Sequence, residues 1–216
     1  MREIHSEAIS KKKRRIGILG GSFNPVHSGH LGIAKKAYEQ FGLDEVWFMP
    51  AGIQPFKQGI SSASAADRAQ MIRLAIRGIP YFSLCTYELE KKGVSYTCQT
   101  LHALCRMYPD CSFFFLLGAD SLYSFEHWLH PEEICSCAFL LVACRHQAHR
   151  PDDTLYRKAE KLRRTLGARI DFIDTPFYDI SSTHIRELLS EESGPLPGQL
   201  LPEAVYQYIR EHGLYR

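Results

Sequence analysis

Two histidines, His27 and His30, follow a pair of glycines and form the strongest candidate for a chemical site in this chain. The glycines, Gly20 and Gly21, let the backbone approach a ligand closely. A helix that begins near Ser28 would add unpaired N–H groups and the positive end of a helix dipole, which together bind anions. Imidazole can also stabilise charge on a phosphoryl oxygen. The segment therefore predicts a phosphate site, and the alternative is a pair of structural histidines that cap a turn.

The spacing of the glycines excludes two common phosphate-binding motifs. Gly17, Gly20 and Gly21 do not form the G-x-G-x-x-G fingerprint of dinucleotide-binding dehydrogenases. No lysine of the Walker A kind follows them. The phosphate contacts expected from this loop are therefore backbone N–H groups and the two histidines.

A second candidate phosphate site lies near the end of the sequence. Ser182 and Thr183 would open a helix, and Arg186 would lie one turn into it. Hydroxyls, backbone N–H groups and a guanidinium fork suit a triphosphate tail. Taken alone, the same residues are also consistent with a helix cap and a solvated arginine.

The elements that must position these residues alternate along the chain. Short apolar runs rich in β-branched and aromatic residues are each followed by an amphipathic segment. This pattern predicts an α/β fold with a doubly wound, mostly parallel sheet and a small C-terminal helical part. Residues 113–117 and 139–142 are apolar throughout, as in strands that are covered on both faces. The predicted strands are 15–19, 45–50, 82–87, 112–117, 138–144 and 169–173. The predicted helices are 30–41, a segment opened by Ser64 and Asp67 that ends before Gly78, 97–107, 152–166, 182–189 and 202–212.

Length and composition limit the remaining possibilities. A chain of 216 residues predicts one domain, expected over residues 16–216, after a basic and flexible N-terminal extension at residues 1–15. The 26 Lys and Arg residues nearly balance the 24 Asp and Glu residues, which argues against a main role on nucleic acid or anionic lipid. No run approaches the ~20 apolar residues of a membrane span. Seven cysteines cannot all pair in a closed disulfide framework, so a cytoplasmic protein in a reducing environment is expected.

Residues 21–30, Gly-Ser-Phe-Asn-Pro-Val-His-Ser-Gly-His, resemble the G-x-F-x-P-x-H-x-G-H signature of the nucleotidyltransferase superfamily. Residues 180–186, Ile-Ser-Ser-Thr-His-Ile-Arg, resemble its second motif, I-S-S-T-x-I-R. Weaker matches at residues 42–50, 93–97 and 118–121, around Trp128 and at the final Gly-Leu-Tyr-Arg extend the resemblance to the bacterial nicotinate-mononucleotide adenylyltransferases. The resemblance implies a Rossmann-like fold and adenylyl transfer from ATP to nicotinic acid mononucleotide, giving deamido-NAD and pyrophosphate. Because the mononucleotide phosphate is already an anionic nucleophile, we expect in-line attack on the ATP α-phosphorus without a covalent enzyme intermediate.

The same resemblance assigns roles to individual residues. Those expected to be catalytic are His27, His30 and Arg186. Those expected to bind the ATP phosphates or ribose are Gly20, Gly21, Ser22, Phe23, Lys57, Gly118, Asp120, Ser182 and Thr183. The nicotinate mononucleotide would contact Tyr96, Thr97 and Trp128, although Tyr96 and Trp128 are also consistent with simple packing.

Cofactors and partners follow from the same resemblance. Mg²⁺ is expected as an ion bound with ATP, held by the nucleotide and water, and no dedicated metal site is expected in the protein. The expected partners are ATP and nicotinic acid mononucleotide, without nucleic acid and without a membrane. A homo-oligomer is left open.

Two positions depart from the family pattern. The family usually has Pro-Pro-His-Lys after the second strand, whereas this chain has Gln54-Pro55-Phe56-Lys57, so that Phe56 replaces a histidine. The effect of Phe56 on phosphate contact or loop closure is left open. Asn24 stands where many relatives have aspartate, which removes a charge near the phosphates.

Other function classes stay open at this point. Within the superfamily they are nicotinamide-preferring adenylyltransferases, pantetheine-phosphate adenylyltransferases and cytidylyltransferases, and residues 93–97 with Trp128 argue against the last two. A non-catalytic nucleotide-binding protein is a further alternative, against which the two histidines and Arg186 argue. A zinc-binding module fits no common zinc spacing and would use Cys135, Cys137, Cys144, His146 and His149.

Overall fold

Six parallel strands form one sheet in the part of the chain that the structure, a computed structural model, describes. The described residues are 12–52, 63–91, 93–144, 153–174, 180–190 and 200–216. The strand order is β3-β2-β1-β4-β5-β6. The strands are β1 (Arg14–Gly21), β2 (Glu45–Pro50), β3 (Phe82–Leu84), β4 (Cys111–Gly118), β5 (Ala138–Ala143) and β6 (Ile170–Ile173).

Helices cover both faces of this sheet, as the alternating pattern predicts. On one face α1, α2, α8 and α9 pack against the sheet, and on the other face α4, α5, α6 and α7 do so. The described helices are α1 (Ser28–Phe41), α2 (Ala65–Ala75), α3 (Tyr87–Glu90), α4 (Thr97–Met107), α5 (Ala119–Ser124), α6 (Pro131–Cys137), α7 (Asp153–Leu166), α8 (Ser182–Ser190) and α9 (Glu203–Glu211), with a 3₁₀ turn at Phe125–His127 between α5 and α6. The doubly wound α/β fold is therefore confirmed.

Strand β4 shows why its sequence is apolar throughout. Phe113 and Phe115 lie in one apolar layer, whereas Phe114 and Leu116 lie in the layer on the opposite face. All four side chains are buried. A strand between two others, β1 and β5, with helices over both faces has no side that tolerates a charged residue.

Several element boundaries differ from the prediction. Strand β1 begins at Arg14 because Arg14 and Arg15 already pair with the first residues of β4. Their side chains are accommodated there, since Arg14 pairs with Glu45 and Arg15 lies over the ring of Phe114 at 4.5 Å. The expected domain start at residue 16 therefore cuts into β1, while residues 1–11 of the expected extension lie outside the described part. Strand β3 ends at Leu84 instead of residue 87, since Tyr87 begins α3.

Helices α3, α5 and α6 were not predicted. They span four, six and seven residues, too few to show a helical period in the sequence. Only α6 carries a readable start signal, which is Pro131 at its first turn followed by Glu132 and Glu133.

The cap of α2 is confirmed and gives a first prediction. The Asp67 N–H donates to Ser64 Oγ at 3.1 Å, and the Ser64 N–H donates to Asp67 Oδ2 at 3.2 Å. The Tyr208 hydroxyl of α9 donates to Asp67 Oδ1 at 2.8 Å. The Ser64 hydroxyl also donates to Asp67 Oδ2 at 2.6 Å. This side-chain bond most, and the bond from Tyr208 next, lower the pKa of Asp67 below its ordinary value of 3.8.

Replacing Asp67 by asparagine should lower the free energy of unfolding at neutral pH by about 1 kcal/mol, the usual contribution of a helix cap. A carboxyl whose pKa is lowered in the folded state stabilises the fold above its unfolded pKa and loses that contribution as the pH falls through the folded pKa. The gap between wild type and Asp67→Asn should therefore close below about pH 4 in urea titrations. Asp171→Asn, at an exposed position on β6, is the matched control and should show no gap at either pH. A gap that is constant with pH would contradict the prediction.

Candidate active site

The glycine pair ends β1, the strand at which the order of strands across the sheet reverses. From β1 the chain continues to β2 on one side, while β4 and later strands lie on the other side. In open parallel sheets such a reversal leaves a crevice beyond the carboxyl ends of the strands, where ligands bind. At this edge Gly20 and Gly21 end β1, and Gly118 ends the neighbouring β4, with Asp120 in the first turn of α5.

The loop after Gly21 is held in an unusual backbone shape by an aromatic side chain. Phe23 has a φ of 47°, in the left-handed region that favours glycine. Its ring is buried, packs against Phe48 with centroids 5.9 Å apart and meets the edge of His30 at 4.9 Å. Burial of this ring offsets the local strain, and the expected cleft-lining role of Phe23 therefore includes fixing the loop beside His30.

The two histidines lie where the spacing predicts. Helix α1 begins at Ser28, so His27 is its cap residue and His30 is in its first turn. Their ring centroids are 3.7 Å apart. The backbone N–H of His27 donates to His30 Nδ1 at 3.2 Å. Because Nδ1 of His30 accepts this bond, the neutral ring carries its proton on Nε2. His30 therefore presents a donor at the start of a helix, as a phosphate site requires.

The second motif contacts the first one directly. Ser182, at the start of α8, donates through Oγ to the Pro25 carbonyl at 2.9 Å. Arg186 donates through Nη1 to the Asn24 carbonyl at 2.9 Å and through Nη2 to Thr183 Oγ1 at 3.2 Å. The fold thus joins Asn24 and Arg186, which are 162 positions apart in the sequence. Ser182, Thr183 and Arg186 therefore lie beside the loop of residues 22–27, the histidine loop.

Two residues outside the predicted site, Arg68 and Tyr215, also support the same loop. Arg68 of α2 is buried and donates through Nη1 to the Ser22 carbonyl at 2.8 Å. Burial lowers the pKa of its guanidinium. In the described segments neither Arg68 nor Arg186 has a carboxylate within salt-bridge distance, so both cations add to the positive potential of the loop. No sequence signal separates Arg68 from other helix arginines.

The C-terminal Tyr215 holds the loop through Asn24. Its hydroxyl donates to Asn24 Oδ1 at 2.7 Å, and the same oxygen accepts the Ala63 N–H at 3.1 Å. Burial raises the pKa of the Tyr215 hydroxyl, which therefore stays protonated and able to donate. Asn24, noted above as a departure from aspartate, is a buried neutral acceptor here.

Replacing Tyr215 by phenylalanine should lower the free energy of unfolding by about 1 kcal/mol, because a buried hydrogen bond is lost while Asn24 Oδ1 keeps its bond from Ala63. The KM for ATP, the substrate that the sequence leads us to expect, should also rise, since the loop carrying Ser22 and His27 loses a support. Tyr206→Phe is the matched control, because in the described part of the chain its hydroxyl makes no hydrogen bond. Chemical denaturation and steady-state kinetics measure both effects, and equal behaviour of the two variants would contradict this role for Tyr215.

The residues expected at the nicotinate end lie on the other face of the sheet. Tyr96 caps α4, Thr97 begins it, and Trp128 follows the 3₁₀ turn. The Trp128 ring packs against Phe125 at 5.3 Å and meets Phe115 edge-on at 6.2 Å. Tyr96 and Trp128 are each half-buried against the same apolar layer. Both therefore pack against the core and also keep a surface that a ligand could contact.

A buried carboxylate, Glu88, lies behind this end of the site and was also missed. Thr100 of α4 donates to Glu88 Oε1 at 2.8 Å, and the Gly52 N–H donates to the same carboxyl group. Burial raises the pKa of Glu88. A Cβ at Gly52 would approach the Glu88 carbonyl oxygen to 2.5 Å, so this position requires glycine. Glu88 thereby ties the loop after β2 to the helix that Thr97 begins.

Some sequence predictions lie outside the described residues. Lys57 and Phe56 are among these, as are His146 and His149 of the zinc alternative. Cys135 and Cys144 are buried in the apolar layer, and Cys137 ends α6. Among the residues that can be described, no group of three or more His, Cys, Asp or Glu side chains is arranged to hold a metal ion. No helix there is both long and apolar enough to cross a membrane.

Known proteins resemble this chain over most of its length. The model of the cytidylyltransferase-like family matches residues 18–188. A probable nicotinate-nucleotide adenylyltransferase of Lachnoclostridium phytofermentans is 37% identical over 202 residues, covering 94% of this chain and 99% of that protein. One of Synechococcus sp. (strain JA-3-3Ab) is 40% identical over 204 residues, covering 94% and 96%. The structure of Plasmodium falciparum nicotinic acid mononucleotide adenylyltransferase complexed with APC is similar in fold, with a TM-score of 0.74 and 20% identity over 94% of this chain and 97% of that one.

Proposed function

Because the chain belongs to the cytidylyltransferase-like family and, within it, to the nicotinate-nucleotide adenylyltransferases, which are nucleotidyltransferases, we propose that it transfers the adenylyl group of ATP to nicotinic acid mononucleotide. The products are deamido-NAD and pyrophosphate. The observation that carries this proposal is the direct contact between the two motifs, in which Ser182 and Arg186 of α8 donate to the loop that precedes His27. That contact assembles donors for a triphosphate at the crevice between β1 and β4.

The proposed reaction is a single in-line displacement. An oxygen of the mononucleotide 5′-phosphate forms a bond to the ATP α-phosphorus as the bond from that phosphorus to the bridging oxygen of pyrophosphate breaks. The nucleophile is already an anion, so the enzyme needs no strong general base and no covalent intermediate. Its work is to align the two phosphates and to offset the charge that develops on the oxygens.

The residues divide this work by position. His30 Nε2, at the start of α1, faces the phosphates, and His27 fixes the His30 ring through its backbone N–H. Arg186, the Thr183 hydroxyl and the backbone N–H of Ser182 would hold the β- and γ-phosphates, which become the leaving group, while the Ser182 hydroxyl keeps its bond to the Pro25 carbonyl. Gly118 ends β4 and Asp120 lies in the first turn of α5, where its carboxylate can accept from both ribose hydroxyls.

The hydrogen-bond donors of the two motifs are also compatible with a Mg²⁺ ion that is bound by ATP. The side chains of the two motifs, His27, His30, Ser182, Thr183 and Arg186, include no carboxylate, so they suit phosphate oxygens and would leave the metal ion to the nucleotide. Bound to the triphosphate, Mg²⁺ would neutralise part of its charge, with the nucleotide and water as its main ligands. The chain's own donors then orient the phosphates around it.

The nicotinate end sets the choice of acceptor. Trp128 would stack on the pyridinium ring, whose positive charge favours an aromatic face, while Tyr96 and Thr97 at the start of α4 recognise its carboxylate. Glu88 acts from behind by anchoring α4 through Thr100. We further propose a cytoplasmic enzyme without nucleic-acid or membrane partners, in keeping with seven unpaired cysteines.

Pyrophosphate release from ATP tests the proposal with three acceptors: nicotinic acid mononucleotide, nicotinamide mononucleotide and phosphopantetheine. We expect the highest kcat/KM with nicotinic acid mononucleotide and no release with phosphopantetheine. Equal rates with the two pyridine mononucleotides would overturn the acceptor assignment. Binding of ATP without release of pyrophosphate with any acceptor would instead identify a non-catalytic nucleotide-binding protein.

A further inference from the structure

A second pocket, of about 470 Å³, opens at the amino-terminal edge of the sheet, opposite the proposed active site. Cys111 at the start of β4 lines it, whereas Gly118 at the other end of β4 faces the nucleotide crevice. At ~3.3 Å per residue the two edges are roughly 23 Å apart. Nothing in the proposed adenylyl transfer uses this pocket.

Two half-buried cysteines adjoin each other in this pocket. Cys105, near the end of α4, donates through Sγ to the carbonyl of Cys137, the last residue of α6, at 3.7 Å. The pKa of Cys105 is raised to about 11, chiefly by burial and next by the neighbouring Cys137 thiol. Cys98, Cys135 and Cys144 are instead buried in the apolar layer. The pair is therefore set apart from the cysteines that serve as core residues.

Cations surround this thiol pair. Lys13, Arg106 and Arg169 line the pocket, and none of its described lining residues is acidic. The Arg169 guanidinium lies over the ring of Phe139 at 3.7 Å, which holds it in place while its N–H groups stay available at the rim. A concave surface with charge of one sign concentrates ligands of the opposite charge and speeds their encounter.

We propose that this pocket is a redox-modification site, at which an anionic low-molecular-weight disulfide oxidises Cys105 and Cys137 to an intramolecular disulfide. The Cys137 thiolate attacks one sulfur of the small disulfide, whose S–S bond breaks, and one small thiolate leaves and is protonated. Cys105 loses its proton to solvent and attacks the Cys137 sulfur of the mixed disulfide, which releases the second small thiol. Two protein thiols are thereby oxidised, and one small disulfide is reduced to two thiols.

The order of the two steps follows from the contact between the two residues. The Cys105 thiol is engaged by the Cys137 carbonyl at 3.7 Å, so it acts second, when the mixed disulfide on Cys137 is already beside it. Burial also raises the pKa of Cys105, which disfavours its thiolate. The product would join α4 to α6, two helices that already pack together on the same face of the sheet. The modification is independent of the proposed transferase activity and can be measured without it.

The experiment treats the reduced full-length protein with oxidised glutathione, which is anionic, or with cystamine, which is cationic. Each rate is divided by the rate of the same reagent with free cysteine. We expect peptide mapping to show a Cys105–Cys137 link, with about a ten-fold preference for the anionic reagent at low salt. The preference should fall at high salt and in Arg169→Gln.

Two further variants separate the steps. Cys105→Ser should stop the reaction at a stable mixed disulfide on Cys137, whereas Cys111→Ser, which changes another thiol of the same pocket, should still form the link. A wild-type protein that keeps a mixed disulfide, that links either cysteine to Cys111, or that reacts equally with both reagents would overturn the proposal. The wild-type and Cys111→Ser results decide the matter even if Cys105→Ser does not fold.

Discussion

Replacing His30 by alanine should lower kcat by about 100- to 1,000-fold, the usual cost of removing one donor to charge that develops in a transition state. His30 presents Nε2 at the start of α1 because the His27 N–H occupies its Nδ1 at 3.2 Å. The side chain is only half-buried, and its ring contacts those of His27 and Phe23. The free energy of unfolding should therefore change by no more than about 1 kcal/mol.

His212→Ala is the matched control for this variant. His212 also loses a ring contact, because it stacks on Tyr208 with centroids 3.9 Å apart, but it lies on the exposed end of α9. Its kcat should stay near that of wild type. Normal turnover by a folded His30→Ala protein, or an equal loss in His212→Ala, would remove His30 from the mechanism.

Replacing Arg186 by alanine should have the second large effect, a fall of about 10- to 100-fold in kcat/KM for ATP. Arg186 makes two hydrogen bonds that orient its guanidinium, one to the Asn24 carbonyl and one to Thr183 Oγ1. A charge-assisted bond to a phosphate contributes about 1.5 to 3 kcal/mol, and each 1.4 kcal/mol corresponds to a factor of ten. The KM for the mononucleotide should change less, since Tyr96 and Trp128 lie on the other face of the sheet.

Two comparisons make this result specific. Arg186→Lys should recover part of the loss, because lysine keeps the charge but cannot bond Asn24 and Thr183 as a fork. Arg157→Ala, which removes an exposed arginine from α7, should leave kcat/KM unchanged. An Arg186→Ala enzyme whose KM rises for the mononucleotide and not for ATP would contradict the placement of the triphosphate at α8.

The histidine loop was predictable because its features are local in sequence. A strand, two glycines, a helix start and two histidines lie within one short segment. The structure places both histidines at the start of α1 as expected, whereas β1 extends past residue 19 through both glycines. The contact of this loop with α8 was predictable only through the resemblance to a family, because no pattern of hydrophobicity relates positions so far apart. The long strands were predictable for a simpler reason, since apolar runs such as residues 113–117 are incompatible with an exposed position.

The supporting residues could not be predicted because their environment is created by tertiary packing. Arg68 looks like any polar residue of an amphipathic helix until α2 packs under the Ser22 carbonyl. Glu88 belongs to a four-residue helix with no period of its own, and it becomes buried only against Gly52 and Thr100. Tyr215 is next to last in the chain, yet its hydroxyl reaches Asn24 across 191 positions.

The most direct test uses ATP with one sulfur of known configuration at the α-phosphorus, together with nicotinic acid mononucleotide. The product should be the sulfur-labelled deamido-NAD with inverted configuration at that phosphorus, because a single in-line displacement exchanges the attacking and leaving oxygens on opposite faces. Retention of configuration would require two displacements and hence a covalent enzyme intermediate. That result would contradict the direct transfer proposed for the crevice between His30 and Arg186.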